Sequence, residues 1–483
     1  MNTLHYGDCL TVMQGMKAGS VDLIYLDPPF NSKKNYHSLY KDETGRPLPD
    51  QVEAFCDMWT LTPEREREIR HMPILVRETG IDDATAEFWK TWLNALRKTN
   101  PSLLAYLSYM VIRLAHMRVL LKPTGSLYLH CDPTASHYIK VILDGVFGHA
   151  NCRNEIIWCY RGAGYPKTDF GRKHDTIHRY SKTNRYTFNL DDVRVPYAPA
   201  TVDRFQHHIG NVRGESDYGE QTLHEKGRCP DDWWEIQPIA PSAKERMGYA
   251  TQKPLNLLDR IIKASSNTGD VVLDPFCGCA TTLEAAHRLN RKWIGIDIAI
   301  HAVKRVARVR LTERCGLVEG QDFEVRGVPC DVEGARDLWK RNPYHFQKWA
   351  VEQVDGFVTA KQTADGGIDG RLYFAHPQHK DLQSMVIEVK GGANVNIADV
   401  RALGDVLSRD SALLAGLIIM DDLPPGKAKN FTALMAEAGD LDVLGVQYPR
   451  MQMLTVPQIV AGGRFHTPSV AARHVVAPRL PGT

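Results

Sequence analysis

Short apolar runs alternate with amphipathic stretches at both ends of the first 315 residues. Leu4 to Tyr6 reads as a short strand ending at Gly7-Asp8, and Cys9 to Met16 has helical spacing. Val21 to Leu26 is a mostly apolar run of strand length, stopped by Asp27-Pro28-Pro29-Phe30. Proline cannot donate to a central ladder, so Pro28 marks the carboxyl end of that strand. In open parallel sheets that end is where ligands bind. Residues 31–100 are polar and irregular and predict a long insertion with some helix near Phe88 to Leu96. Pro101 to Leu121 predicts an amphipathic helix, Ser126 to His130 a buried strand, and Ser136 to Phe147 another helix. Further on, Pro254–Ala264 (helix), Asp270–Asp274 (strand), Thr281–Leu289 (helix), Arg291–Asp297 (strand) and Ala299–Thr312 (helix) continue the rhythm. Strands alternating with helices favour a parallel sheet covered on both faces.

The remaining third reads differently. Residues 319–342 are charged and punctuated by Gly and Pro, and predict a linker. A smaller, separate α/β unit is expected over 343–460, and a flexible tail rich in Gly, Pro and Arg over 461–483. A length of 483 residues supports more than one domain. The 59 Lys+Arg nearly balance the 57 Asp+Glu, which excludes a polybasic tail protein but not a local basic patch. No stretch approaches a membrane span, and the N-terminus lacks the pattern of a secretory signal, so a cytoplasmic protein is expected. Its ten scattered cysteines fit reduced thiols better than a disulfide framework.

The Asp27-Pro28-Pro29-Phe30 strand exit suits chemistry on an amine. An aryl amine is a poor nucleophile because its lone pair is delocalised into the ring. A carboxylate and a backbone carbonyl accepting its two N–H groups pull the nitrogen toward tetrahedral geometry. Two prolines hold such a carbonyl in place at little entropic cost, and Phe30 offers a face for a planar base. A second strand exit, Val271 to Asp274 followed by Pro275-Phe276-Cys277-Gly278, leads into a helix at Thr281. Such a turn lets a ligand approach the backbone. Asp297 ends the next strand, where an acid can hydrogen-bond a ribose.

In this order, Gly7-Asp8, Asp27 to Phe30, Thr251-Gln252-Lys253-Pro254, Asp274 to Gly278 and Asp297 resemble the β group of amino-group DNA methyltransferases. The resemblance implies a Rossmann-like, seven-stranded α/β domain over residues 1–318 that uses S-adenosylmethionine. It assigns Asp27, Pro28, Pro29 and Phe30 to the target amine. Asp274, Phe276, Gly278, Thr281 and Asp297 would surround the cofactor, with Asp8 near its adenine and Lys253-Pro254 near its methionine end. Aspartate in the first motif position looks like the N6-adenine subgroup more than the N4-cytosine one. Ala280 stands where the family usually has a second glycine, which leaves the shape of that turn open.

Residues 151–250 hold few long apolar runs. Over 153–185, basic side chains interleave with aromatic ones, a composition that suits a nucleic-acid groove as well as a solvated loop. With the resemblance, this becomes the expected target-recognition region for double-stranded DNA, with Arg161, Lys167, Arg172 and Lys173 as candidate DNA contacts. A homodimer is one assembly open to the chain.

A second constellation lies at Asp369, Glu388 and Lys390. Glu388 and Lys390 are two apart, so strand alternation puts them on one face. Two facing carboxylates suit a hard divalent ion such as Mg²⁺ held by Asp369 and Glu388, and a nearby lysine can assist phosphodiester hydrolysis. The flanking helices and strands resemble the Mrr-like branch of the PD-(D/E)xK restriction endonucleases. That likeness implies a metal-dependent nuclease site at these three residues, with Glu352 assisting, or a DNA-binding module whose metal site is silent. Cys277-x-Cys279 lacks a second pair with zinc-ligand spacing, and His207-His208 reads as a solvated pair.

Overall fold

The computed structural model describes residues 1–29, 35–38, 52–56, 59–162, 166–206, 223–240, 242–249, 251–358, 367–379, 381–392 and 394–468. Phe30, His207-His208, Tyr165 and the tail from 469 onward lie outside these residues. In chain order the strands of the first part are β1 (Asn2–Tyr6), β2 (Val21–Leu26), β3 (Asn35–Ser38), β4 (Val52–Cys56), β5 (Leu121–Cys131), β6 (Cys152–Cys159), β7 (His174–Ser181), β8 (Trp233–Glu235), β9 (Val271–Asp274), β10 (Lys292–Asp297) and β11 (Phe323–Arg326). Nine of them form one sheet in the order β11-β1-β10-β9-β2-β5-β7-β6-β8, while β3 and β4 pair separately.

From β11 to β5 every neighbour is parallel, and β7 then runs antiparallel to both β5 and β6. Seven strands were expected, and nine are present, because one short strand is added at each edge. The edge strand β11 lies inside the expected linker. Its Phe323 is fully buried while Glu324 and Arg326 pair with each other at the surface. The rest of that segment holds the helix Val332–Arg341, so 319–342 is built into the fold.

Alternation along β2 divides the interior. Ile24 and Leu26 face one core, packed under the helices Pro63–Arg77, Asp83–Thr99, Pro101–Leu120 and Ser136–Phe147. Leu23 and Tyr25 face the other, under the helices Leu255–Ser265 and Thr281–Arg288. The two helices before Pro101 replace much of the irregular insertion predicted there. Contrary to the reading of the sequence, Pro101–Leu120 is long and apolar enough to cross a membrane, but 78% of its apolar window is buried within the fold. Residues expected as one helix over 299–312 wind with the wider π geometry at Ala302–Ala307 and Arg310–Arg314. Arg310 is buried there against Glu284 at 2.6 Å.

The second part contains β12 (Phe357–Val358), β13 (Gly370–Phe374), β14 (Gln383–Lys390), β15 (Leu414–Ile419), the hairpin β16 (Asp440–Val443) and β17 (Val446–Pro449), and β18 (Met451–Thr455). A five-stranded sheet runs β12-β13-β14-β15-β18, antiparallel through β14 and parallel beyond it. The helices Pro343–Gln353 and Ile397–Arg409 flank it. One hydrophobic core is continuous between the parts. Leu4, Tyr6 and Phe323 join Leu338, Phe346 and Trp349, and these join Ile387 and Leu414. The expected tail is docked as far as His466, whose N–H donates to Gln452 at 2.7 Å, and Phe465 packs against Gly416. The nine cysteines whose side chains are described are free thiols.

Candidate active site at the carboxyl edge of the large sheet

The parallel strands β1, β10, β9 and β2 all end at the same edge, and each delivers a lining residue there. One cleft is lined by Gly7 after β1, Asp297 at the end of β10, Asp274 at the end of β9, and Asp27 just past β2. Pro29, Lys253, Phe276, Gly278 and Thr281 line it too, so eight of the residues assigned from the sequence to the target amine or the cofactor share one cavity. Asp27 and the Gly278 turn are 251 positions apart in the chain, and the strand order brings them together.

The Gly278 turn shows why small residues are needed. Gly278 has φ of +46°, and a Cβ there would come within 3.0 Å of the Tyr249 ring. The Gly278 N–H donates to Asp297 Oδ2 at 2.8 Å, and the Ala299 N–H donates to Asp297 Oδ1 at 2.8 Å. Ala280 adopts the left-handed conformation with φ of 62°, so the turn keeps a glycine-like shape despite its side chain. Asp274 is buried. It accepts hydrogen bonds from the Phe276 N–H at 3.1 Å and from the Thr282 hydroxyl at 2.5 Å. Burial, reinforced by the Asp27 and Asp297 carboxylates, pushes the Asp274 pKa up to about 7 despite those bonds. Burial also raises that of Asp297.

Asp27 is held from one side only. Its Oδ2 accepts from the Lys253 ammonium, whereas Oδ1 is buried and finds no partner among the described residues. A buried acceptor without a donor is costly, and an incoming N–H would satisfy it. Lys253 is in turn placed by Gln252, whose amide accepts from the Met247 N–H at 2.7 Å and donates to the Glu245 carbonyl at 2.6 Å. Three carboxylates and one lysine line this cavity, a balance that suits a cationic ligand.

Other expected site residues sit beside the cleft. Asp8 caps the helix Cys9–Gln14 through Oδ1, and its Oδ2 meets the buried Arg113 at 2.7 Å. That arrangement directs its carboxylate away from the cavity, which Gly7 and Cys9 line instead. Pro28 is buried in the strand exit, and Pro254 begins the helix Leu255–Ser265 without lining the cavity. Tyr25, Tyr109 and Tyr249 do line it and were not picked out from the sequence, and Gln252, quoted in its motif without a role, lines it too. Tyr25 alone had a readable signal, standing two residues before Asp27 on the same strand face.

The basic stretch 153–185 divides in two. Arg153 and Arg179 are drawn into the β6–β7 hairpin, where Arg153 donates to Ser181 at 2.7 Å and Arg179 is buried. Arg161, Lys167 and Arg172 are exposed, and Lys173 is half-buried, in the loop joining β6 to β7. Arg161 pairs with Glu235 at 3.0 Å, and Phe170 is 94% exposed on the same loop. Because β7 runs antiparallel to β5, this loop emerges at the edge that carries Asp27.

Asp369, Glu388 and Lys390 also share a cleft, together with Gln347, Asn394 and Asp399. Lys390 Nζ meets Glu388 Oε1 at 2.7 Å, and the Val389 N–H donates to Asp369 Oδ2 at 2.8 Å. Burial raises the Glu388 pKa against the pull of Lys390. Among the described residues no group of three or more His, Cys, Asp or Glu side chains is placed to hold a metal ion. Glu352 points elsewhere than expected. It faces His301 at 3.5 Å, across the junction with the first part.

Residues 21–308 match the family model described as DNA methylase. The type II methyltransferase M.HpaI of Haemophilus parainfluenzae is 31% identical over 246 residues, which is 50% of this chain and 69% of the relative. The DNA adenine methyltransferase YhdJ of Escherichia coli K12 is 26% identical over 306 residues, 62% of this chain and 80% of its own. Among solved structures, the cytosine-N4-specific PvuII DNA methyltransferase covers 65% of this chain and 91% of its own, at 14% identity and a TM-score of 0.36. The family match ends before the five-stranded sheet begins.

Proposed function

The chain belongs to the DNA methylase family, and from that premise we propose that it methylates the N6 amine of adenine in double-stranded DNA. The cofactor, S-adenosylmethionine, supplies an electrophilic methyl group on a sulfonium. The residues present fit it. The Gly278 turn leaves room where a Cβ would meet Tyr249, and Asp27, Asp274 and Asp297 offer countercharge. Asp274, Phe276, Gly278, Thr281 and Asp297 are the residues proposed to hold it, with Lys253 beside them.

The observation that carries the proposal is the unpartnered, buried Oδ1 of Asp27 in that same cavity. It orients one N–H of the target amine, while the rigid prolines present a carbonyl to the other. Target bases must leave the duplex stack to reach such a cavity. The loop of Arg161, Lys167, Arg172 and Lys173 lies at the right edge of the sheet to hold the displaced strand. Tritiated methyl transfer into plasmid DNA, followed by digestion to nucleosides, tests the assignment. Label in N6-methyldeoxyadenosine is expected. Label in N4-methyldeoxycytidine would overturn the choice of base, and no label in DNA would overturn the reaction.

A second reading concerns residues 343–460. The shared cleft of Asp369, Glu388 and Lys390 supports a Mg²⁺-dependent DNA endonuclease. Mg²⁺ keeps several waters and needs only one or two protein carboxylates, so the Asp369 and Glu388 pair fits it. The chain would then mark DNA with one part and cut unmarked DNA with the other. Nicking of unmethylated plasmid with Mg²⁺, lost in Asp369→Ala and Lys390→Ala, is the expected result. No cutting on any modification state with Mg²⁺ or Mn²⁺ would leave this part a DNA-binding module.

A further inference from the structure

Beneath the cleft runs a chain of polar side chains that neither the motifs nor the cofactor requires. The Tyr25 hydroxyl lies 3.1 Å from His130 Nδ1, and both side chains are buried. His130 Nε2 lies 3.2 Å from Asp175 Oδ2, and the Tyr160 hydroxyl donates to Asp175 Oδ1 at 3.4 Å. The chain crosses from β2 to β5 to β7 and on to the residue that follows β6, at the carboxyl edge. A carboxylate can only accept, so His130 carries its proton on Nε2. Nδ1 is then an acceptor, and Tyr25 is the donor. The Trp158 ring stands edge-on to His130 at 5.3 Å and shields it. The His130 side chain is wholly buried, while Asp175 keeps 17% exposure.

Methylation of an amine creates a cationic nitrogen that must lose a proton. Asp27 is engaged with Lys253 through one oxygen and orients the amine through the other. Tyr25 shares the face of β2 with Asp27 and lines the same cavity.

We propose that the Tyr25 hydroxyl takes the proton released by the target amine while passing its own to His130 Nδ1, with Asp175 stabilising the imidazolium that results. The step rests on the methyl transfer proposed above. As the carbon–nitrogen bond forms and the carbon–sulfur bond breaks, one amine N–H bond is lost to the tyrosine oxygen. The tyrosine O–H proton moves to the imidazole, and once product has left it returns to the tyrosine oxygen as the extra proton passes to water in the emptied cavity, which restores the Nε2–H tautomer. No other reactant is needed. Tyr25 is the catalytic acceptor, and His130 and Asp175 are positioning residues that act through it.

The test is single-turnover methyl transfer at saturating cofactor and DNA, across pH. Tyr25→Phe keeps the ring and removes only the oxygen, and its rate should fall about 100-fold, the scale of general-base assistance. Cofactor affinity should stay within about twofold, because the relay acts on the amine and not on ground-state binding. Loss of rate at low pH, as Asp175 takes up a proton, should be present in the wild type and absent from Tyr25→Phe. The groups facing the relay are Asp27 after β2, Asp132 after β5, Tyr160 after β6, Lys253 and Asp274. Asp274 titration does not enter once cofactor saturates the site. Asp175→Asn, a second variant, should lose about tenfold or more alone and little further in the Tyr25→Phe background. A Tyr25→Phe enzyme within about threefold of wild type, or one that keeps the low-pH loss, overturns the relay and leaves the methyl transfer standing. A wild type that methylates no DNA overturns both.

Discussion

Asp274→Asn separates what the protein needs to fold from what it needs to act. The Asp274 carboxyl is buried at the end of β9, with a pKa of about 7 in place of the usual 3.8. At roughly 1.36 kcal/mol for each tenfold change in proton affinity, that gap amounts to about 4 kcal/mol of cost for carrying the charge. The sign follows from proton binding. Between pH 4 and pH 7 the folded chain holds a proton that the unfolded chain has lost, so folding grows less favourable as pH rises through that window. Above pH 7 the full cost is present. Asparagine carries no charge and keeps the shape. Its carbonyl still accepts from the Phe276 N–H, and the Thr282 hydroxyl turns to accept from its amide. Urea unfolding should therefore show the variant more stable by as much as about 4 kcal/mol at pH 8, by less than about 2 kcal/mol at pH 5, and by almost nothing near pH 4. The same variant should bind S-adenosylmethionine poorly, because a countercharge is gone. A stability gain that is absent at pH 8, or that does not shrink as pH falls, would refute the reasoning. So would a variant that binds the cofactor as well as wild type does.

Further predictions concern the ligands. Calorimetry should find that affinity for S-adenosylmethionine falls as pH drops below 7, by at most about tenfold per pH unit, because protonated Asp274 no longer attracts a cation. S-adenosylhomocysteine, which lacks the sulfonium charge, should lose less, and equal losses for the two would contradict the electrostatic account. Arg161→Ala, Lys167→Ala and Arg172→Ala should each lower the salt slope of DNA binding by about one, and three unchanged slopes would remove that loop from the interface. Phe170→Ala should weaken binding by about 1 kcal/mol or more without altering the slope, since a stacked ring contributes no charge.

The strand exits were legible because proline and glycine announce them. Asp27 and Asp274 each follow an apolar run stopped by a proline, Asp297 ends a third such run, and all three line one cavity. The Tyr25–His130–Asp175 chain was not legible. Its members are 105 and 45 positions apart, and only the strand order β2-β5-β7 makes them neighbours. Asp8 shows the same limit. Its position in Gly7-Asp8 suggested a ligand contact, yet Arg113, 105 residues away on the helix Pro101–Leu120, claims its carboxylate. The strand β11 was hidden because a four-residue strand between Gly320 and Gly327 resembles a turn. Its burial beside β1 decides its conformation, not local preference. The glutamate and lysine of β14 were readable from their spacing alone.

The β11 strand and the helices Val332–Arg341 and Pro343–Gln353 join the two sheets as a weld rather than a tether. A break anywhere from 319 to 342 would strip β1 of its outer neighbour or leave Phe346 and Trp349 facing water. Truncating the chain there should destabilise the first part, because Leu4, Tyr6 and Phe323 lose the apolar partners they share with Phe346 and Trp349. The shared core makes the two parts one folding unit rather than two.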